Sequence, residues 1–125
     1  MKAISTEKAP AAIGPYSQAI AYGGLVFTSG QIPLDPSTGT VVTGDISVQA
    51  EQVMKNLGEV LKAAGSDYAL AVKTTCFLAD MSDFAAFNEV YGRYFTGKPA
   101  RSCVAVKQLP KDVLCEVEVI AAVEA

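Results

Sequence analysis

The sequence predicts an α+β two-layer sandwich in which two helices cover one face of a mixed β-sheet. Three observations support this fold class: a diglycine hairpin near the start, two segments with helical periodicity, and strand-like segments between and after those helices. Because strands alternate with helices, both helices are expected to pack against the same sheet. The 125 residues suit a single domain spanning 1–125.

The first half of the chain predicts a hairpin followed by a helix. Segments 19–22 and 25–28 flank Gly23-Gly24, and glycine readily adopts the positive φ angles of a two-residue turn. Apolar residues recur at three- and four-residue steps over 47–64, and Gly65 follows as a helix C-cap. We therefore expect the helix to end at residue 64.

The second half predicts a strand, a helix and two further strands. Segment 69–79 is rich in β-branched and aromatic residues, which favours a buried strand. Segment 82–95 predicts a helix that begins at Ser82 or Asp83. An aromatic stripe along it indicates core or interface packing and is formed by Phe84, Phe87, Tyr91, Tyr94 and Phe95. Segments 101–106 and 114–123 then follow as strands, which we interpret as a hairpin.

Strand alternation places polar residues together on one face of that predicted hairpin. If the two strands pair symmetrically, Cys103 lies opposite Glu116 and Arg101 lies opposite Glu118. The other face would then pack under the helices. Two interpretations of the polar face stay open. One is a solvated sheet surface with a cross-strand ion pair. The other is an anion site in which a guanidinium binds a carboxylate and a glutamate orients water.

Composition excludes several classes of function. The chain has no histidine, which removes Ser-His-Asp catalysis, Cys-His catalysis and histidine-based zinc sites. A net charge of −3 and a pI near 4.8 argue against a nucleic-acid partner. Mean hydropathy is high at +0.28, yet no apolar run approaches the ~20 residues that cross a bilayer. The surplus apolar surface therefore predicts an oligomer rather than a membrane protein.

The N-terminus and the cysteines indicate a cytoplasmic protein. Residues 1–8 lack the apolar stretch of a signal peptide. Cys76, Cys103 and Cys115 form no Cys-x-x-Cys pair, so neither a disulfide framework nor a zinc site is expected.

Several short motifs resemble one known family when they are taken in order. They are Gly14-Pro15-Tyr16-Ser17-Gln18, Thr28-Ser29-Gly30-Gln31-Ile32-Pro33, Pro99-Ala100-Arg101-Ser102-Cys103-Val104 and Glu116-Val117-Glu118. Over essentially its full length the chain resembles the Rid/YjgF family of reactive-intermediate deaminases. The resemblance implies a chorismate-mutase-like subunit with a six-stranded sheet, and a homotrimer with active sites in clefts between subunits. It also implies hydrolysis of 2-iminopropanoate and 2-iminobutanoate to 2-keto acids and ammonia, without cofactor or metal.

Carried over by position, the family's site residues fall on the same polar segments. The resemblance implies that Arg101 holds the substrate carboxylate and that Glu116 orients or activates the attacking water. Residues expected to contact or enclose the substrate are the Gly30 N–H, the Cys103 carbonyl, Ser29, the loop residue Tyr16 and, more weakly, Asn88. Gly30 could instead serve a turn, Tyr16 could anchor a loop, and Cys103 could simply pack.

Two other functions remain alternatives at this point. A regulatory or chaperone-like trimer could bind a keto acid in the same pocket without turnover. A second carboxylate at Glu116 favours catalysis, because carboxylate binding alone does not need it. The other alternative is an endoribonuclease or translation inhibitor, which the acidic pI and the missing histidines disfavour.

Overall fold

The computed structural model describes residues 1–124 and contains a six-stranded sheet with two α-helices. The strands are β1 Lys2–Ile4, β2 Ala19–Tyr22, β3 Leu25–Thr28, β4 Ala71–Leu78, β5 Ala100–Ala105 and β6 Cys115–Ala122. The helices are α1 Ile46–Ala63 and α2 Phe84–Tyr94. The strand order is β1-β2-β3-β6-β4-β5, with β4 and β5 parallel and all other neighbours antiparallel. The predicted α+β fold is confirmed.

The local predictions for the first half of the chain are also confirmed. Gly23 and Gly24 have φ angles of 62° and 79°, which close the β2–β3 hairpin where the sequence predicts it. Helix α1 begins after Asp45, whose carboxylate accepts a hydrogen bond of 3.1 Å from the Val48 N–H. A side-chain cap of this kind satisfies one of the unpaired N–H groups of the first helical turn.

The core lies between the two helices and one face of the sheet. Helix α1 buries one apolar stripe, and α2 buries part of its aromatic stripe. The sheet contributes alternate residues of its central strands, including Cys76, Leu78, Cys115, Val117 and Val119. Across residues 1–124, neither helix is long and apolar enough to span a bilayer.

The prediction that 101–106 and 114–123 form a hairpin is wrong. Strand β4 lies between β5 and β6 and pairs with both of them. The reason is the crossover through α2. Strands joined by a helix run parallel and tend to lie side by side, so β5 pairs with the free edge of β4. The link 106–114 includes a short 3-10 turn, Pro110–Asp112, and returns the chain to the other side of β4.

This strand order also corrects the predicted polar face. Arg101 and Cys103 are in register with Thr74 and Cys76, whose side chains are buried on the face covered by the helices. Glu116 and Glu118 are instead in register with Phe77 and Thr75 of the same central strand, on the uncovered face. Alternation within each strand was predicted correctly. The two polar pairs nevertheless lie on opposite faces of the sheet.

Candidate active site in two separate pockets

The first pocket surrounds Glu116 on the uncovered face of the sheet. It has a volume of about 400 Å³, and its lining includes Tyr16, Ser29, Gly30, Gln31 and Glu116. Four of the predicted site residues therefore do come together, although they lie far apart in sequence. Gln31 brings the loop to the glutamate because its backbone exchanges hydrogen bonds of 2.8 and 3.1 Å with Val117.

The carboxyl group of Glu116 lies directly against the backbone of Gly30. A Cβ added at Gly30 would overlap the Glu116 carboxylate and would lie 2.8 Å from its Cδ. Burial raises the pKa of Glu116, and the neighbouring Glu118 charge raises it further. Both effects disfavour the ionised form of this carboxyl group, and a raised carboxyl pKa in a cleft is typical of a group that transfers protons.

The loop that carries Tyr16 is fixed by hydrogen bonds that are mostly partly buried. Ser29 Oγ donates to the Ser17 carbonyl at 2.6 Å, and the Ser29 N–H donates to the Gln18 carbonyl at 2.9 Å. The Gln18 side chain is 4% exposed and bonds residues 6, 9 and 10 of the N-terminal segment. Tyr16 itself stays 54% exposed at the pocket edge. Ser29 thus positions the Tyr16 loop as well as lining the pocket.

The second pocket surrounds Arg101 beside helix α2. Its volume is about 370 Å³, and its lining includes Asn88, Tyr91, Lys98 and Arg101. Arg101 Nη1 donates to Asn88 Oδ1 at 2.6 Å, and this is the guanidinium's one hydrogen bond to residues 1–124. A guanidinium has five N–H donors, so most of them remain free for an anion.

Two aromatic rings of α2 lie against the same guanidinium. Its central carbon is 4.8 Å from the ring centre of Tyr91 and 5.4 Å from that of Phe84. The Tyr91 hydroxyl lies 2.7 Å from Thr74 Oγ1. Sequence analysis did not predict Phe84, Tyr91 or Thr74 as site residues. The available signal was spacing, because Phe84 and Tyr91 lie four positions before and three positions after Asn88 on one helix face.

Cys103 lies on the helix-covered face, in neither of these two pockets. Burial raises the pKa of its thiol and raises that of the adjacent Cys76 thiol to about 12, so neither is a ready thiolate. Strand β5 is at the sheet edge, so one side of its backbone faces no other strand of the described chain. Within residues 1–124, no group of three or more Cys, Asp or Glu side chains could hold a metal ion.

Comparisons with known proteins agree with this architecture. The chain matches the family described as Endoribonuclease L-PSP over residues 6–123. A mouse protein named 2-iminobutanoate/2-iminopropanoate deaminase is 54% identical over 121 residues, covering 96% of this chain and 90% of the mouse protein. A Thermotoga maritima crystal structure has a TM-score of 0.97 at 49% identity, covering 100% of this chain and 99% of the other. Escherichia coli TdcF with bound serine has a TM-score of 0.93 at 44% identity, covering 99% and 100%. The chain therefore belongs to the YjgF/Rid family.

Proposed function

We propose that this protein hydrolyses small 2-imino acids, such as 2-iminobutanoate and 2-iminopropanoate, to 2-keto acids and ammonia. The observation that carries the proposal is the Arg101 guanidinium, which lies in an open pocket with most of its N–H donors free. The mouse relative bears the name of this activity, and TdcF was crystallised with serine, which carries an α-carboxylate.

In the proposed mechanism, Arg101 binds the substrate carboxylate through paired N–H groups and so fixes the imine carbon. Glu116 accepts a proton from water as the water oxygen bonds to that carbon and the C=N electron pair moves to nitrogen. Glu116 returns that proton to nitrogen, which gives a carbinolamine. It then accepts the carbinolamine hydroxyl proton and passes it to the amino nitrogen as the carbonyl forms and the C–N bond breaks, so that the keto acid and ammonia leave. The Gly30 N–H and the Cys103 carbonyl hold the substrate, while Ser29 and Tyr16 enclose it. No cofactor or metal takes part in this scheme.

We further propose that each complete site forms between two copies of the chain, in a cytoplasmic homotrimer. Within one chain, Arg101 and Glu116 lie on opposite faces of the sheet and in separate pockets. A second copy that covers the open sheet face would bring its own Arg101 towards Glu116. That face carries a row of apolar side chains, Ile20, Phe27 and Ile120, and a second row with Phe77 and Val104. An exposed apolar surface of this kind favours association.

The deaminase assignment is tested by generating 2-iminobutanoate from threonine with a dehydratase and trapping the residual imine with semicarbazide. We expect the protein to reduce trapping in proportion to its concentration. Arg101→Ala should abolish this effect and leave the oligomer intact, because the guanidinium lies at the sheet edge. Glu116→Gln should bind 2-ketobutanoate normally but turn over about 100-fold more slowly, since general base catalysis contributes that much or more. Undiminished trapping by wild-type protein would refute the assignment.

The shared site is tested by mixing those two inactive variants after mild dissociation. In a trimer with sites between neighbours, random mixing returns an intact Arg101 and an intact Glu116 to about one quarter of the sites. We therefore expect about a quarter of wild-type activity from the mixture. Sites formed within one chain would give none.

A keto-acid-binding trimer without turnover is the second candidate, and Glu116 argues against it. Binding of a carboxylate needs the guanidinium but not a second carboxyl group, whereas proton transfer to and from the imine needs a group such as Glu116. Ketobutanoate binding with no effect on trapping would favour this candidate instead. RNA cleavage, which the family's description names, is disfavoured by the net charge of −3.

A further inference from the structure

The strand that carries Arg101 has a neighbouring strand on one side only. Strand β5 is the edge of the sheet and pairs with β4 alone. Arg101 is half-buried, and its long side chain lies on the face covered by α2. A flexible side chain in this position loses conformational freedom when it binds an anion, unless something else already holds it.

One face of α2 supplies three contacts to that guanidinium. Phe84, Asn88 and Tyr91 are spaced by four and three positions, so they share one face of the helix. Asn88 Oδ1 accepts a hydrogen bond of 2.6 Å from Nη1, and the N–H groups of a guanidinium lie in its plane. The two rings lie on it from the helix side, and Tyr91 is the nearer at 4.8 Å.

The Tyr91 ring is itself held from both ends. Its hydroxyl is 2.7 Å from the hydroxyl of Thr74, which is fully buried and in register with Arg101 on the neighbouring strand. Its ring stacks on Phe95 with centroids 4.8 Å apart and an interplanar angle of 28°. Burial raises the pKa of the Tyr91 phenol and so keeps its hydroxyl protonated, and either of the two hydroxyls can donate the hydrogen bond between them.

We propose that Tyr91 is a positioning residue for Arg101, anchored by Thr74, and that its ring sets the plane in which the guanidinium meets the substrate carboxylate. Asn88 fixes the rotation within that plane, which leaves the remaining N–H groups pointing to the open side of the pocket. The binding and turnover effects of this proposal rest on the proposed function. The placement of the guanidinium does not.

A purely structural Tyr91 would have different consequences from a positioning Tyr91. Loss of core packing lowers the stability and the active fraction, but it leaves the affinity of the folded molecules unchanged. Loss of positioning weakens carboxylate binding in every folded molecule. The affinity of the folded molecules therefore separates the two roles.

The experiment compares Tyr91→Leu and Tyr91→Phe with the control Tyr94→Leu on the same helix. The Tyr94 ring packs on Tyr68, with centroids 5.2 Å apart, and touches no part of Arg101 described by the structure. We measure the Kd of 2-ketobutanoate by calorimetry and turnover at saturating imine. Tyr91→Leu should raise Kd about tenfold, the size of a partly desolvated cation–π contact, and should also lower turnover, because Arg101 fixes the imine carbon. Tyr91→Phe keeps the ring and should raise Kd by no more than about threefold.

A second measurement tests the placement without any ligand. Protons above an aromatic face resonate upfield, so the Nε–H signal of Arg101, assigned by its loss in Arg101→Lys, should be shifted upfield in the wild-type protein. Tyr91→Leu should remove most of that shift, while Tyr91→Phe and Tyr94→Leu should preserve it. An unchanged signal in Tyr91→Leu, or wild-type keto-acid affinity in that variant, would overturn the proposal. If the wild-type protein binds no keto acid, the proposed function fails and the NMR signal still decides the role of Tyr91.

Discussion

Gly30→Ala should inactivate the enzyme without unfolding it, because the added methyl group displaces the Glu116 carboxylate. In the structure the new Cβ would lie 2.8 Å from Glu116 Cδ. Carbon atoms pack favourably at about 3.5–4.0 Å, so Cδ must move by roughly 0.7–1.2 Å, and the carboxylate oxygen that the Cβ overlaps must move further. A shift of about 1 Å in a catalytic group can lower the rate about 100-fold, and we expect a loss of that size in kcat.

The stability of the same variant should hardly change. The displaced atoms are the end of a side chain and can rotate away, and the φ angle of Gly30 is not one of the positive values that disfavour alanine. Replacing glycine with alanine at a compatible backbone position stabilises proteins by about 0.4–1 kcal/mol, chiefly through the unfolded chain. Gly97→Ala is the matched control, since its Cβ would meet Ala69 O at an ordinary 3.5 Å.

The assay combines imine trapping, thermal unfolding and ketobutanoate affinity for both variants. A Gly30→Ala protein whose turnover stays within about threefold of wild type would refute the reasoning, because the position of Glu116 could not then control the rate. A variant that keeps its turnover but binds keto acid poorly would instead show that the added methyl group obstructs the substrate rather than the base, since alanine keeps the backbone N–H.

Three further predictions follow from individual side chains. Because the pKa of Glu116 is raised, the acid limb of the pH profile of kcat should lie above that of an ordinary glutamate. The same shift stabilises the fold most at low pH, and this stabilisation is lost as the pH rises through the raised pKa. Glu116→Gln should therefore become more stable relative to wild type as the pH rises, measured by urea titration. Gly58→Ala should lower the free energy of unfolding by about 1–3 kcal/mol, because its Cβ would overlap the Tyr68 hydroxyl. Gly92→Ala has open space at its Cβ and should stabilise helix α2 by up to ~1 kcal/mol. Cys103→Ser should keep kcat within about threefold of wild type, since burial raises the pKa of that thiol and its proposed contact uses the backbone carbonyl; a larger loss would implicate the sulfur atom.

Local signals predicted most of the elements because their causes are local. The diglycine turn, the helical period of α1 and the alternation within β4, β5 and β6 each depend on neighbouring residues, and all are present in the structure. Strand β1 was missed by these patterns and followed only from the six-stranded sheet that the resemblance implies. Its Lys2–Ile4 segment is too short to show a period and is defined by pairing with β2.

The order of the last strands could not be predicted from their own sequences. The apolar residues Val104 and Val106 suggested that their face of the strand packs under the helices. In the structure Val104 lies on the uncovered face and is 47% exposed. Which residues of an edge strand face the helices is set by the register with the neighbouring strand. Here the pairing of Cys103 with Cys76 of β4 places Cys103 on the helix side. An apolar residue on an uncovered face is consistent with burial against another copy, which no pattern within one chain can distinguish from burial under a helix.

Separating Arg101 from Glu116 within one chain has a chemical consequence for the assembled site. A guanidinium in contact with a carboxyl group lowers the pKa of that group. In an empty site, the Arg101 of a second copy would therefore leave Glu116 more fully ionised than it is in the single chain. A bound substrate carboxylate neutralises that guanidinium, and the pKa of Glu116 then rises again. We therefore expect 2-ketobutanoate binding to take up protons, measured as a calorimetric enthalpy that varies with the ionisation enthalpy of the buffer. Glu116→Gln should remove the buffer dependence and keep the affinity. Proton uptake that persists in Glu116→Gln would place the titrating group elsewhere and remove the link between carboxylate binding and the base.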